Sequence, residues 1–459
     1  MPEFLTLLPP DEAREKLLSH LRFDELNASS SGIVDSESVS VDLSLGRVTA
    51  EDIFSPHPLP EFTRSTVDGY AVKSKDTFGA TDSLPAYLNL IGEVPMGEEP
   101  SFEIESGQCA LIHTGGMLPK NADAVVMLEY TQSIHHGDHK EHKEHKEHRE
   151  NPQKISVDSV PSLAKSFEIE IFKSVADGEN VIRIGEDVAQ NQLVIPKGTL
   201  IRPAEIGGLM ALGITFLRVA RLAKVGIIST GDEVIEPSQQ PKMGQVRDIN
   251  SYTLSALIQK SGGEAKRYGI ISDQFEALKE AALKALSECD VVLITAGSSA
   301  STRDMTAEVI SQLGSPGVLV HGINTRPGKP TILGVCDGKA VIGLPGNPVS
   351  ALVNGYLFVV PVIEKLLGVT PKPRASVQAK LTVNLSSQAG REDWFPVKLI
   401  GNRELGFVNR KSEIVNYEAE PIFGKSNLIF TLASADGLLK IHPDATGLSA
   451  GEIVEVMLI

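Results

Sequence analysis

The sequence predicts an α/β plus β multidomain protein: a central parallel α/β sheet domain, a β-rich N-terminal region and a small C-terminal β-barrel-like domain. Three observations carry that expectation. The chain has 459 residues, more than one ordinary core accommodates, so two to four domains are expected. Residues 223–367 alternate apolar strand-like runs with helical patterns, as parallel strands covered on both faces by helices do. On either side, over about 38–200 and again over 371–459, the helical patterns give way to short β-branched runs separated by Gly and Pro.

Taken in order, residues 11–23 read as an amphipathic helix with Asp11 as cap and Ala13, Leu17 and Leu21 on one face. The runs "VSVDLSL", "ALIHTGG", "AVVMLEY" and "QLVIPKGTLI" read as strands. Residues 135–150, "HHGDHKEHKEHKEHRE", interrupt them and hold six of the eleven histidines. A Lys-Glu-His tract has no apolar face to bury, so a solvated loop or a frayed helix is expected, with metal capture as the lesser reading. Beyond it, "AKVGIIST" is a strand, "NSYTLSALIQKSG" a helix and "AKRYGIIS" a strand. "DQFEALKEAALKALSE" sets Phe275, Leu278, Ala282 and Leu286 on one helical stripe. "DVVLITAG" and "KAVIGLPG" are strands, each leading into a helix, and "ASVQAKLTV", "WFPVKLI" and "GEIVEVML" are short strands near the end.

Composition narrows the function classes. A formal charge of −16 argues against general nucleic-acid binding, which needs a basic face. The longest apolar runs, such as "YLFVVPVI", fall short of the roughly 18 residues of a membrane helix. The N-terminus lacks the basic-then-apolar pattern of a signal peptide. Cys109, Cys289 and Cys336 lie far apart without metal spacing, as buried free thiols do in a reducing compartment, so a cytoplasmic protein is expected.

Open α/β sheets bind ligands beyond the carboxyl ends of their strands. Those ends carry "STGDEV" (229–234), Ser272–Asp273, "TAGSSASTRD" (295–304) and "GLPGNPVS" (343–350), with "NTRPGKP" (324–330) just before the last. Asp232, Glu233, Asp273 and Asp304 would then converge with Arg303, Arg326 and Lys329. Any one of these alone reads as a solvated charge or a helix cap; their joint placement favours a site. Gly297, Ser298, Ser299 and Ser301 offer little bulk, hydroxyls and backbone N–H groups, which suit phosphate at a helix N-terminus. Carboxylates beside phosphate imply a divalent cation, with Mg²⁺ expected. Pro345 and Pro348 stiffen the Gly-rich turn, and Asn347 is placed to cap the following helix. Upstream, "RSTVDGYAV", "HTGG" and "RIGEDV" form a second polar constellation around Asp68. These residues point to a Mg²⁺-dependent enzyme or binder of phosphorylated ligands.

In order, "STVDGYAV", "HTGGMLPKNADAVVMLE", "IRIGEDV", "ISTGDEV", "DINSYTL", "RPGKP" and "GLPGNPVSALV" resemble the molybdopterin molybdenumtransferases, the family that includes the E domain of gephyrin. The resemblance implies insertion of molybdate, or tungstate, into adenylylated molybdopterin with Mg²⁺-dependent release of AMP, by a homodimer. It implies four parts: a segmented linking region (1–56 and 156–222), a β-rich domain (57–155), an α/β molybdopterin-binding domain (223–370) and a C-terminal β-domain (371–459). By motif, Asp68 and Thr114 belong to the functional cleft. Asp187, Glu233, Asp273 and Asp304 handle metal or oxyanion, Arg326 and Lys329 face phosphate or molybdate, and Ser426 contributes from the C-terminal domain. In such dimers the upstream constellation of one subunit completes the α/β site of the other. The loop "TAGSSASTRD" departs from the Gly- and Val-rich loop usual there, and Arg303 is expected to add to anion binding, the alternative being an ion pair with a nearby carboxylate or a solvated side chain. The rival readings are a non-catalytic dimeric scaffold of the same fold and an adenylylating variant. Deleting residues 135–150 is expected to leave catalysis and dimerisation unchanged while abolishing any Ni²⁺ or Zn²⁺ binding seen by titration calorimetry. Loss of folding or turnover on deletion would make the tract a structural element.

Overall fold

The computed structural model describes residues 7–21, 35–135, 167–296, 300–401 and 417–459, with backbone alone at 135, 296 and 300–303. The chain forms two compact units, one of residues 53–194 with 211–213, the other of residues 1–52, 195–210 and 214–459.

The first unit is built on six strands: β1 (Gly69–Val72), β2 (Ala86–Val94), β3 (Gln108–Ile112), β4 (Ala124–Met127), β5 (Thr131–His135) and β6 (Phe167–Ile171). They pair in the order β4-β1-β3-β2-β6-β5, with β2 and β3 parallel and the other pairs antiparallel. Alternation along β6 turns Ile169 and Ile171 inward onto Val72, Leu88, Cys109 and Val126. Gly69 has a specific reason to be glycine: a Cβ there would overlap the Val126 carbonyl across the β1–β4 pair. The β-rich region thus extends past the expected 57–155, because β6 pairs with both β2 and β5 and Val181–Ile182 pairs with Arg64–Ser65. Of the His-rich tract only His135 lies within the described residues, at the end of β5; the rest of the 135–150 tract lies outside them.

The second unit holds the α/β sheet. Its elements are β7 (Ala223–Thr230), α2 (Asn250–Lys260), β8 (Gly263–Ile271), α3 (Phe275–Glu288), β9 (Val291–Ala296), α4 (Ala300–Leu313), β10 (Pro316–His321), β12 (Ile332–Cys336), β13 (Lys339–Pro345) and α5 (Pro348–Leu366). The sheet order is β8-β7-β9-β13-β12-β10. The strands from β8 to β13 are parallel, but β12 runs against both its neighbours. The all-parallel sheet expected from the sequence is therefore mixed. β10 and β12 follow each other without an intervening helix, and a short connection permits only an antiparallel return.

α1 (Pro10–Ser19) buries Ala13 and Leu17 on this domain's core, with Leu21 just beyond its end. Asp11 does not cap it: the helix opens with Pro10 at its first position, and Asp11 pairs with Arg14 at 2.7 Å inside the first turn. α5 is 19 residues long and apolar enough to cross a bilayer by length, but most of it is buried. Phe358, Val359, Val362 and Ile363 enter the core, and a π-turn widens the helix over Gly355–Val359.

Past the sheet, β14 (Ser376–Leu381), β15 (Glu392–Gly401), β16 (Tyr417–Pro421), β17 (Gly437–Ile441) and β18 (Ile453–Leu458) close into a barrel in the order β15-β16-β14-β18-β17-β15. The expected barrel-like domain is a closed five-stranded barrel around Ala379, Leu381, Val397, Leu439 and Val456. A two-residue strand, β11 (Thr325–Arg326), joins its edge by pairing with Glu392 and Asp393. The three cysteines are free and buried, and burial pushes the thiols of Cys109 and Cys336 up to about 12. Phe358, fully enclosed, is the test of the α5 core. Phe358→Ala is expected to cost about 3–5 kcal/mol in urea unfolding through the cavity it leaves.

Candidate active site

Because β8, β7, β9 and β13 are parallel, their carboxyl ends share one edge. β7 delivers Gly231, Asp232 and Glu233, and β8 delivers Ser272 and Asp273. Asp232 Oδ1 accepts the Asp273 N–H at 3.2 Å. Burial raises the pKa of Asp273, the charges of Asp232 and Glu233 raise it further, and the nearby Thr230 hydroxyl pulls it partly back. Asp273 Oδ1 and Thr230 Oγ1 are nonetheless both buried without a well-formed hydrogen bond. Asp304 stands exposed near the start of α4. Among the described residues no three His, Cys, Asp or Glu side chains form a ready-made metal cage, so Glu233, Asp273 and Asp304 are not drawn together as one. Behind this edge the buried Asp248 accepts from Ser229 Oγ (2.8 Å), Ser251 Oγ (2.6 Å) and the Ser251 N–H (3.1 Å) in the first turn of α2.

The reversal of β12 brings a second group to the same edge. β10 ends there and β12 begins there, so the connection 322–331 with Arg326 and Lys329 lies beside the end of β13. It forms one wall of a cavity of about 810 Å³, and the barrel segment 422–427 forms another. Arg326, Lys329, Arg391, Lys425, Ser426 and Trp394 line it. Pro345 also lines it, whereas Pro348 is buried in the first turn of α5. Arg391 grips the buried carboxylate of Asp393 with Nε at 2.7 Å and Nη2 at 3.1 Å. Arg326 lies 3.8 Å from the same carboxylate and is largely exposed. One buried anion therefore serves two arginines, and Arg326 retains most of its hydrogen-bonding capacity for a ligand.

Asn347 does not cap α5. Its Nδ2 donates to Ser426 Oγ at 3.1 Å, and the Val349 N–H donates to the Ser426 carbonyl at 3.0 Å. Pro348 has no N–H to satisfy, so a carbonyl from the barrel replaces the expected side-chain cap and fixes Ser426 at the cavity.

In the other unit Asp68 Oδ1 accepts from the Thr114 N–H (2.7 Å) and Thr114 Oγ1 (3.1 Å). The Thr114 N–H, more than its hydroxyl, holds Asp68 below the usual carboxylate range. His113 Nε2 lies 2.9 Å from Glu93. Asp187 sits on the loop after Val181–Ile182, its N–H bonded to the Leu59 carbonyl at 3.1 Å. Among the described residues no hydrogen bond or ion pair joins it to Asp68 or Thr114.

Family comparison now bears on this geometry. Residues 8–213 match the model of the MoeA N-terminal region (domain I and II), 226–365 a probable molybdopterin binding domain, and 378–459 the MoeA C-terminal region (domain IV). The chain belongs to the MoeA family. A Methanocaldococcus jannaschii protein named for molybdopterin biosynthesis is 37% identical over 424 residues, 90% of each chain. The molybdopterin molybdenumtransferase of Haemophilus influenzae is 30% identical over 98% of each. The crystal structure of the molybdopterin biosynthesis MoeA protein of Pyrococcus horikoshii aligns with a TM-score of 0.76 and 32% identity, over 99% of this chain and 100% of that one.

In this MoeA-family chain the strand-end carboxylates and the Arg326–Lys329 loop do share an edge, and Ser426 faces the same cavity as that loop. Gly297, Ser298 and Ser299 lie outside the described residues, as do the side chains of Ser301 and Arg303. Sequence reasoning missed Arg391, Asp393 and Lys425. The charged run "RED" before "WFPVKLI" is the one signal that could have found the first two. Asp273 supplies a test. Its folded-state pKa is raised above the unfolded value, so the folded state holds the proton more tightly and stability falls as pH rises through the raised pKa. Asp273→Asn is expected to raise the melting temperature near pH 8 without divalent cation, with the gain fading towards the ordinary Asp range of about 4. Equal melting at both ends of that range would show that the carboxylate is not strained by its neighbours.

Proposed function

We propose that this MoeA-family chain acts as a molybdopterin molybdenumtransferase, inserting molybdate into adenylylated molybdopterin and releasing AMP. One observation carries the reading: a single sheet edge bears crowded carboxylates at β7 and β8 and a cation-lined cavity beside β13. Two strand spacings separate β7 from β13 and three separate β8 from it, roughly 10–14 Å, so a ligand lying along the edge would meet carboxylates at one end and cations at the other. A scaffold needs neither group.

The acidic end fits Mg²⁺. A buried, orphaned Asp273 oxygen beside Asp232 and Glu233 is a strained anion that a cation relieves, and Mg²⁺ takes only one or two carboxylates with phosphate and water completing its shell. Asp273 and Glu233 would hold it, with Asp304 approaching from α4. Bound there, it would neutralise charge on the departing AMP phosphate. At the other end Arg326, Lys329, Arg391 and Lys425 attract the oxyanion, the Ser426 hydroxyl orients it, and Asp393 keeps Arg391 directed.

The homodimer belongs to the same proposal: Asp68 and Thr114 of one copy complete the sheet-edge site of another. Three buried free thiols accord with a cytoplasmic setting.

The decisive experiment incubates the protein with adenylylated molybdopterin, Mg²⁺ and molybdate or tungstate and follows AMP; no oxyanion-dependent release overturns the reading. Asp304→Asn is expected to reduce release to near background while circular dichroism stays unchanged, and full activity would remove Asp304 from the site. Mixing Asp68→Ala with Asp304→Asn protein is expected to restore about a quarter of wild-type activity, since half the random dimers then carry one intact site. A mixture no more active than its components would show that the copies do not share a site.

A further inference from the structure

The start of α5 reaches both walls of the cavity. On the barrel side it holds Ser426 through Asn347 and the Val349 N–H. On the other side the contact is Asn354, fully buried in an otherwise apolar stretch of the helix. Its Nδ2 donates to the Ser350 carbonyl one turn back (2.7 Å) and to the Pro327 carbonyl (3.3 Å). Gly328 lies directly on the carboxamide: a Cβ there would overlap the Asn354 side chain, and its φ of +110° lies where other residues are strained. The Arg326–Lys329 loop is therefore laid over one buried amide.

Core packing alone does not account for this residue. Asn354 Oδ1 is buried with no hydrogen-bond partner, a placement that disfavours asparagine against an apolar residue of similar size. The π-turn Gly355–Val359 begins at the next residue, and such turns gather at functional positions. Arg326 is otherwise tethered by the short β11–β15 pairing and a loose 3.8 Å ion pair.

We propose that Asn354 is a positioning residue: it sets the spacing between Arg326 and Lys329 on one wall and Lys425 and Ser426 on the other, and so tunes the cavity for a tetrahedral dianionic oxyanion. This rests on reading the cavity as the oxyanion site. Asn354→Leu removes both donors. Asn354→Thr keeps a hydroxyl that bonds the carbonyl one turn back but is too short for Pro327. Gly328→Ala disturbs the same contact from the loop.

The test measures the molybdate dependence of AMP release and, separately, tungstate binding through the fluorescence of Trp394, the chain's one tryptophan, which lines the cavity. All three variants are expected to raise the molybdate KM and the tungstate Kd roughly ten-fold or more, the scale of one charge-assisted hydrogen bond. The KM for adenylylated molybdopterin is expected to stay within about two-fold, and high molybdate is expected to restore kcat. Variants that lose kcat with an unchanged molybdate KM would give Asn354 a structural role only and overturn the proposal. Should Asn354→Leu fail to fold, Gly328→Ala with an unchanged KM and Kd overturns it equally. Wild-type protein that binds no tungstate would instead remove the oxyanion reading of the cavity, and this inference with it.

Discussion

The site depends on the direction of one strand. Were β12 parallel to β13, the segment before it would emerge at the amino edge of the sheet, and Arg326 and Lys329 would lie a strand length from the carboxylates. Because β12 runs backwards, the connection from β10 stays at the carboxyl edge. The barrel then follows, since β11 pairs with β15 there and brings Asp393, Arg391 and the 422–427 segment with it. A local choice of strand polarity thus gathers the cationic half of the site from three parts of the chain.

The charged groups are stabilised by one another more than they stabilise the fold. Asp393 is almost wholly buried and would be costly alone; two nitrogens of Arg391 and the Ser387 hydroxyl at 3.0 Å offset that cost. Buried pairs of this kind seldom add net stability, but they orient a guanidinium with little freedom. Across the edge the opposite holds, for Asp273 has carboxylate neighbours and an unbonded oxygen. At one end Arg391 neutralises the buried carboxylate and Arg326, Lys329 and Lys425 leave positive charge over, while the other end is left with excess negative charge.

How much of this the sequence disclosed follows from how local each signal is. The strand ends bearing Asp232, Glu233 and Asp273 were legible because β7 is a long, almost continuously buried apolar run and β8 is followed at once by the long, periodic helix α3. β10 and β12 were not, since Gly317, Gly322 and Pro330 break the pattern and their pairing is with each other and β13. Asp393 reads as a surface charge until β15 and Arg391 enclose it. Asn354 is one polar letter in an apolar helix, and its partner Pro327 lies 27 residues away. Asn347 had the right type and position for a cap, but Ser426, supplied by another domain, took the N–H it would have served.

The buried thiols have a practical consequence. Nucleophilic attack requires thiolate, and with Cys109 and Cys336 pushed up to about 12 and Cys289 also raised, all three enclosed, the native sulfurs present almost none at neutral pH. A cysteine introduced on an exposed loop of either compact unit would therefore be the one that maleimide dyes or spin labels modify, without first stripping the natural ones. Pairs of such labels give a spectroscopic ruler for the separation of the two units while substrate turns over.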